Sequence, residues 1–575
     1  MKTVRVGAVT AEAYAYSAMS DSRSFRISST LLIRFLSTCL RPAYGPLTGT
    51  AQHARAGGAI PFRGRTTTLR TMVTERSTQV VVASNRGPVA HAFTDDGGLT
   101  ARRGGGGLVS GLSAIGPDAD AVWVCAALGD ADREAARRAG RRLDAGDAGG
   151  QAVRMLDIPS ETFAAAYNGV ANSVLWFVHH LLYQTPLEPS FDAEFTRQWA
   201  AYETYNAAFA DALAEEAADG AAVLVQDYHL ALTPALLRER RPDLRIGHFS
   251  HTPWAPPDYF RLLPDATAAA VLRGILGADR AAFLTRRWAD AFTACCAEVL
   301  GAEVTYGEAD RGEAGGGGQG GDGRGGDGEP RVTYEGRTTR IGVHGLGADG
   351  EFLRERSRRT DVTERIGRLR EQIGGTDRHT VVRVDRTELS KNIVRGLHAY
   401  RELLTERPEW RERVVHLALA YPSRQDLAVY RDYTAEVARV AEKINADFGT
   451  PGWTPVVLHV KDDFARSLAA YRLADVALVN PIRDGMNLVA KEVPVVSDAG
   501  CALVLSREAG AYEELADDAV TVNPYDVTAT AHALHEALTM GAEERTARTA
   551  RLAAAATALP PAEWFLAQLE ALRGV

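Results

Sequence analysis

The sequence predicts an α/β protein of two doubly wound domains facing each other across a cleft. Three observations carry this expectation. Short, near-continuous apolar runs alternate with stretches of helical spacing; the alternation comes in two series; and a Gly-dominated segment, residues 307–330, lies between them. Apolar runs that do not alternate in and out are strands buried on both faces, which means parallel sheets covered by helices. In such sheets ligands bind outside the strand carboxyl ends, so the residues just after each strand are where chemistry is sought.

In the first series, strands are expected at 79–83, 121–125, 222–225, 245–250 and 281–285, with helices at 195–216, 230–240 and 287–300. A strand-like run at 340–343 closes this half. The Gly-rich stretch cannot bury a core and reads as a disordered insertion within the first domain. In the second series, strands are expected at 380–384, 414–420, 455–460, 475–479, 502–505 and 519–522, and helices at 391–404, 425–445, 464–473 and 529–538. The chain thus divides into a first domain at 78–350, a second at 351–555 and a tail helix at 556–575.

Residues 1–71 are rich in Arg, Ser and Thr, with Glu12 and Asp21 the only acids. They are expected to be an extension outside the fold. The composition suits a transit peptide; the favoured reading is sequence upstream of a start at Met72, a few residues before the first convincing strand.

Bulk composition narrows the function. Hydrophobic residues at 46% and charged residues at 24% are ordinary for a globular protein. A net charge of −8 argues against generic affinity for nucleic acid or anionic membranes, so any phosphate site must come from a few placed cations. No run of about 18 apolar residues offers a membrane span. Five cysteines without a CxxC pair suggest a reducing, cytoplasmic setting with neither a disulfide framework nor a zinc site. Cys295 and Cys296 read as small apolar fillers on a helix.

Four segments follow strands and carry reactive groups. Ser84, Asn85, Arg86, Gly87 and Pro88 follow the first strand, and Arg102, Arg103 and four glycines including Gly107 come next. A strand leading through a Gly-rich turn into a helix would aim backbone N–H groups at a phosphate, with Arg86 adding a guanidinium fork. Asp227, Tyr228 and His229 follow the third strand and His251, Thr252, Pro253 and Trp254 the fourth; Asp227 and His251 could meet sugar hydroxyls or serve as ordinary caps. Arg386 and Lys391, five residues apart at a strand end and helix start, make an anion site or a salt-bridged turn. Finally, Asp484 and Gly485 turn the chain, Asn487 and Leu488 open a helix with unpaired N–H groups, and Glu492 lies one to two turns on.

The order and wording of these motifs resemble the trehalose-6-phosphate synthases, retaining glycosyltransferases of the two-Rossmann-domain (GT-B) type. The resemblance covers roughly residues 79–560 and includes SNRGP, QDYHL, HTPW, the Arg386–Lys391 spacing, Pro422-Ser423-Arg424 and RDGMNLVAKE. It implies that Arg86, Tyr167, Trp176 and Arg424 hold a glucose 6-phosphate acceptor, and that Asp227 meets that sugar's hydroxyls. Gly107 would lie beside the nucleotide-glucose donor, and His251 and Asp484 would grip its glucose. Arg386 and Lys391, with N–H groups near Asn487 and Leu488, would stabilise the departing diphosphate, and Glu492 would bind the ribose. No metal or other cofactor is implied beyond the nucleotide sugar as co-substrate, and a homo-oligomer is compatible with the pattern.

Some positions depart from the family's commonest pattern. Glu388 and Leu389 stand where aspartate and tyrosine are usual, Asn392 where glycine is, Cys125-Ala126-Ala127-Leu128 for a GWSG-like segment, and the loop at Lys461-Asp462-Asp463-Phe464 differs. These changes spare the phosphate-handling cations and leave the base open. The chain resembles actinobacterial members, for which GDP-glucose and UDP-glucose are both donors to consider. Alternatives within the fold are a validoxylamine phosphate synthase-like pseudo-glycosyltransferase and a glucosylglycerol-phosphate synthase. A non-catalytic sugar-phosphate sensor is the rival of a different class, and retention of Arg386, Lys391 and Asp484 argues against it.

Overall fold

The computed structural model describes residues 78–103, 121–143, 146, 148, 150–307, 328–375 and 377–574. The expectations for residues 1–71, for Gly107 and its neighbours, and for the body of the Gly-rich segment lie outside the described residues.

The first lobe contains strands β1 (Thr78–Ala83), β2 (Val89–Phe93), β3 (Leu99–Arg103), β4 (Ala121–Ala126), β5 (Ala152–Leu156), β6 (Ala217–Gln226), β7 (Arg245–Ser250), β8 (Arg280–Phe283), β9 (Glu303–Tyr306), β10 (Pro330–Tyr334) and β11 (Arg337–Val343). Nine of them form one sheet in the order β5-β4-β1-β6-β7-β8-β11-β10-β9. Pairing is parallel from β5 through β11, and β10 runs antiparallel to both its neighbours. The second lobe contains β12 (His379–Arg386), β13 (Val414–Tyr421), β14 (Val456–His459), β15 (Val476–Val479), β16 (Ala502–Ser506) and β17 (Val520–Val522), all parallel, in the order β14-β13-β12-β15-β16-β17.

Counted along each lobe's own parallel strands, both sheets begin with the doubly wound order 3-2-1-4-5-6. Strand order reverses between β1 and β6 in the first lobe and between β12 and β15 in the second. Every residue of β13, β15 and β16 is buried, the pattern expected of strands covered on both faces. Helix ends follow local chemistry. Asp192 caps the Ala193–Glu216 helix by accepting from the N–H groups of Glu194 and Phe195, and Thr285 caps the Arg286–Leu300 helix, which ends on left-handed Gly301. That helix buries Cys295 and Cys296 completely, as filler residues should be.

Three features were not anticipated from the sequence. The segment after β1 does not run directly through glycines into a helix: it forms the β2–β3 hairpin, with its turn at Asp95, Asp96 and left-handed Gly97. The expected helix at 230–240 begins instead as a short turn at Tyr228–Leu230 and becomes helical only at Thr233–Arg240. Residues Ala165–Leu175 wind as a wide, π-type helix before Trp176–His180 resumes α geometry; such widened turns recur at functional sites. The C-terminal helix Pro561–Arg573 leaves the second lobe and packs on β7 of the first, burying Trp564 and Leu572 completely.

Candidate active site

Both switch points deliver their strand ends to the same cleft. From β6 and β7 come Asp227 and His251; from β12 come Arg386 and, four residues past its end, Ser390; the loop after β15 supplies Asp484 and Gly485. These residues, with Trp176, His180, Thr252 and Lys391, line a cavity of about 220 Å³.

The lobes meet directly around it. The Trp288 indole donates to the carbonyl of Gly485 at 2.9 Å, and the Arg483 guanidinium donates to the Trp254 carbonyl at 2.9 Å. A side chain at Gly485 would place its Cβ 2.1 Å from the His251 carbonyl oxygen, so the absence of one is what lets the second lobe's turn rest on the first lobe's strand end.

On the second lobe, Lys391 Nζ lies 2.5 Å from Asp484 Oδ2, and the Asn487 amide donates to the same oxygen at 3.1 Å. Burial alone would lower the Lys391 pKa, but Asp484, Asp385 and Glu388 more than offset it and hold the ammonium charged. Asn487, in left-handed geometry, caps the Leu488–Val496 helix by accepting from the Ala490 N–H. Glu492, on that helix, accepts from the Tyr471 hydroxyl at 3.2 Å, and burial pushes its carboxyl up to about 7. Arg386 keeps 60% of its side-chain surface exposed while its Nε sits 3.2 Å from the wholly buried Glu388.

Glu388 has a second cationic partner. Arg424 Nη1 lies 3.0 Å from its other carboxylate oxygen, a charge contact rather than an aligned hydrogen bond, and Ser423 Oγ donates at 3.1 Å. Burial would raise the Glu388 pKa; Arg386, Arg424 and Lys391 overcome that and bring it down to about 2. Arg424 then reaches the first lobe. Its Nε donates to Asn172 Oδ1 at 3.1 Å, and its guanidinium lies 4.0 Å from the Trp176 ring centroid.

On the first lobe, Asp227 adopts φ 74° and ψ 169°, a combination otherwise almost confined to glycine, and such strained backbone clusters at functional sites. Its carboxylate accepts from the His251 N–H at 3.2 Å. Burial raises its pKa to about 6, against the lowering by backbone N–H groups and Arg424. Burial holds His251 and His180 neutral, each with a pKa near 3. His251 Nε2 lies 2.9 Å from Gln226 Oε1, and His180 Nδ1 lies 2.9 Å from the Trp176 carbonyl with its ring stacked on that indole.

Of the residues singled out from sequence, Trp176, Asp227, His251, Arg386, Lys391 and Asp484 line the cavity together. Arg424 joins them through Trp176. Tyr167 stands behind, stacked on His229 with centroids 5.5 Å apart, and Arg86 is exposed at the end of β1. Asn487, Leu488 and Glu492 lie on the helix leading away from the Asp484 turn and are not cavity walls. His180 and Asn172, four residues to either side of Trp176, were missed by sequence reasoning. Glu388 was noticed only as a departure from pattern. Among the described residues, no group of three or more His, Cys, Asp or Glu could hold a metal ion, and no helix is long and apolar enough to cross a membrane.

Two doubly wound lobes that bring cations from one set of strand ends and neutral, aromatic and carboxylate groups from the other to one cleft define the two-Rossmann-domain class of protein. The chain belongs to glycosyltransferase family 20, whose family model matches residues 78–573. It is 31% identical over 482 residues to the alpha,alpha-trehalose-phosphate synthase [UDP-forming] of Schizosaccharomyces pombe, covering 83% of this chain and 86% of that one. It is 32% identical over 478 residues to a probable alpha,alpha-trehalose-phosphate synthase [UDP-forming] of Arabidopsis thaliana, covering 82% of this chain but spanning 54% of that longer relative. Among solved structures, the E. coli trehalose-6-phosphate protein bound with UDP-2-fluoro glucose superposes with a TM-score of 0.72 at 27% identity, covering 86% of this chain and 99% of that one.

Proposed function

We propose that this chain transfers glucose from a nucleotide-glucose to glucose 6-phosphate with retention, giving trehalose 6-phosphate and a nucleoside diphosphate. The observation that carries the reading is the convergence of Arg386 and Lys391 from one lobe with Trp176, Asp227 and His251 from the other on a single cavity. Membership of the family and the printed activity of its relatives support it.

Each residue has a physical task in this reaction. As the bond from the donor's anomeric carbon to the diphosphate breaks, negative charge grows on the leaving oxygen. We assign its neutralisation to Arg386 and Lys391 rather than to a metal, helped by N–H groups at Asn487 and Leu488 where the helix begins. Asp484, pinned by Lys391 and Asn487, holds the donor glucose with His251. Glu492 takes the ribose. Arg86, Tyr167, Trp176 and Arg424 hold the acceptor's phosphate, and Asp227 accepts from its sugar hydroxyls. The acceptor hydroxyl attacks from the face the diphosphate leaves and gives its proton to that departing phosphate. Positioning and charge stabilisation then account for the rate. The four described cysteines, all free buried thiols, suit a cytoplasmic location.

The test is a donor screen. Purified protein with glucose 6-phosphate is offered GDP-glucose and UDP-glucose separately, and both nucleoside diphosphate release and trehalose 6-phosphate are measured. The disaccharide phosphate is expected with at least one donor; its absence with both would refute the assignment.

A further inference from the structure

Glu388 is fully buried, yet it touches two arginines that the proposed reaction uses for different substrates. One oxygen faces Arg386 Nε and the Ser423 hydroxyl; the other faces Arg424 Nη1. A carboxylate so placed could do either of two opposite things. It could damp the positive charge available to phosphates, or it could fix where two flexible side chains point.

The geometry favours the second. At Arg386 the carboxylate contacts Nε, the inner edge of the guanidinium, so both terminal amino groups stay available while rotation of the group is restrained. Arg386 is 60% exposed, and an exposed arginine held at one edge has less rotamer freedom to lose when an anion arrives. At Arg424 the carboxylate lies against Nη1, Asn172 takes Nε and Trp176 covers the guanidinium plane, so the group is held on three sides. The Glu388 carbonyl also accepts from the Lys391 N–H at 3.0 Å. The same residue therefore fixes the turn that carries the third cation.

We propose that Glu388 is a positioning residue that aims two phosphate-binding guanidinia at once, Arg386 toward the donor diphosphate and Arg424 toward the acceptor phosphate. This rests on the reaction proposed above. Glutamate has the reach for both partners. An aspartate, one methylene shorter from the same backbone position, would reach one arginine at a time.

The experiment measures binding by calorimetry, with glucose 6-phosphate on one side and GDP or UDP on the other. Wild type is compared with Glu388→Gln, Glu388→Asp, Arg386→Ala, Arg424→Ala and the two double variants that add Glu388→Gln to each arginine change. Gln offers a single acceptor oxygen and sets an amide N–H₂ against a guanidinium, so Glu388→Gln is expected to weaken both ligands by about tenfold. With Arg386→Ala as background, Glu388→Gln should no longer affect the nucleoside diphosphate but should still weaken glucose 6-phosphate. With Arg424→Ala as background the pattern should reverse. A general loss of fold would not produce that crossed dependence. Glu388→Asp should weaken at least one ligand and carries the test if the Gln variant does not fold. Tighter or unchanged binding of either ligand to Glu388→Gln overturns the proposal and makes Glu388 a charge damper. Wild-type protein that binds neither ligand overturns the reaction and this inference together, whereas normal wild-type binding with indifferent variants overturns the inference alone.

Discussion

Lys391 is the residue on which the leaving-group assignment turns. It is buried to 17% side-chain exposure, charged, and aimed by Asp484. Lys391→Ala should lower turnover by about 10²–10³-fold, the cost of removing one preorganised donor from a developing charge, while circular dichroism shows an intact fold. Near-normal turnover would contradict the assignment. Asp227 yields a pH prediction with a definite sign. Its carboxyl is raised by burial to about 6, above the ordinary value of about 3.9. The folded state thus binds this proton more tightly than the unfolded chain does. The stability associated with it is fully present below about pH 4 and is lost as pH rises through about 6. Asp227→Asn cannot ionise, so at pH 7 it should be more stable than wild type by about 1–3 kcal/mol, with the gap closing by pH 4. The same variant should turn over more slowly, because an amide accepts less strongly from a sugar hydroxyl. Melting temperatures of both proteins at the two pH values decide the matter; an equal gap at each would remove Asp227 from the account.

At the scale of elements, the strands with uninterrupted apolar runs were readable and the others were not. The stretches 414–420 and 502–505 were expected as strands and are β13 and β16, because burial on both faces leaves no polar residue to confuse the pattern. Strand β5 was overlooked because Arg154 interrupts Ala152–Leu156, its charge satisfied by Glu215 and Glu216 on a distant helix. The β2–β3 hairpin was overlooked because it lies outside both sheets and shows little burial. The cavity was legible where a strand end and its next residues line it together, as at Arg386 and Lys391. Contacts between residues far apart in sequence were not: nothing local to Trp288 announces its bond to Gly485, 197 positions away. That contact can be tested. Gly485→Ala would drive a methyl into the His251 carbonyl, a backbone atom that cannot yield as a flexible side chain could. The expected result is a cost of about 1–3 kcal/mol, a larger radius of gyration by small-angle scattering as the lobes part, and turnover at least about tenfold lower. Unchanged scattering and turnover would mean that the two strand ends do not need to touch.

On the scale of the whole molecule, the chain crosses between lobes twice within the described residues. It passes out through residues 344–349, where the Leu346 carbonyl accepts from buried Lys491, and returns through Leu559, whose carbonyl accepts from Gly347. The returning helix sets Trp564 against Phe249 and His251, with centroids 4.9 and 5.5 Å away. Trp564→Ala should therefore destabilise the protein by about 3–5 kcal/mol and lower turnover as well, because the ring beside a cavity residue is lost. Thermal unfolding and activity measured on the same sample test this, and a stability loss with full activity would separate the helix from the site.

That return has a consequence for how the protein is made. Strand β7 leaves the ribosome well before its covering helix, which follows the whole second lobe in the chain. Until then Phe249 lacks its Trp564 neighbour, so the earlier half cannot finish its packing before the second half has been translated.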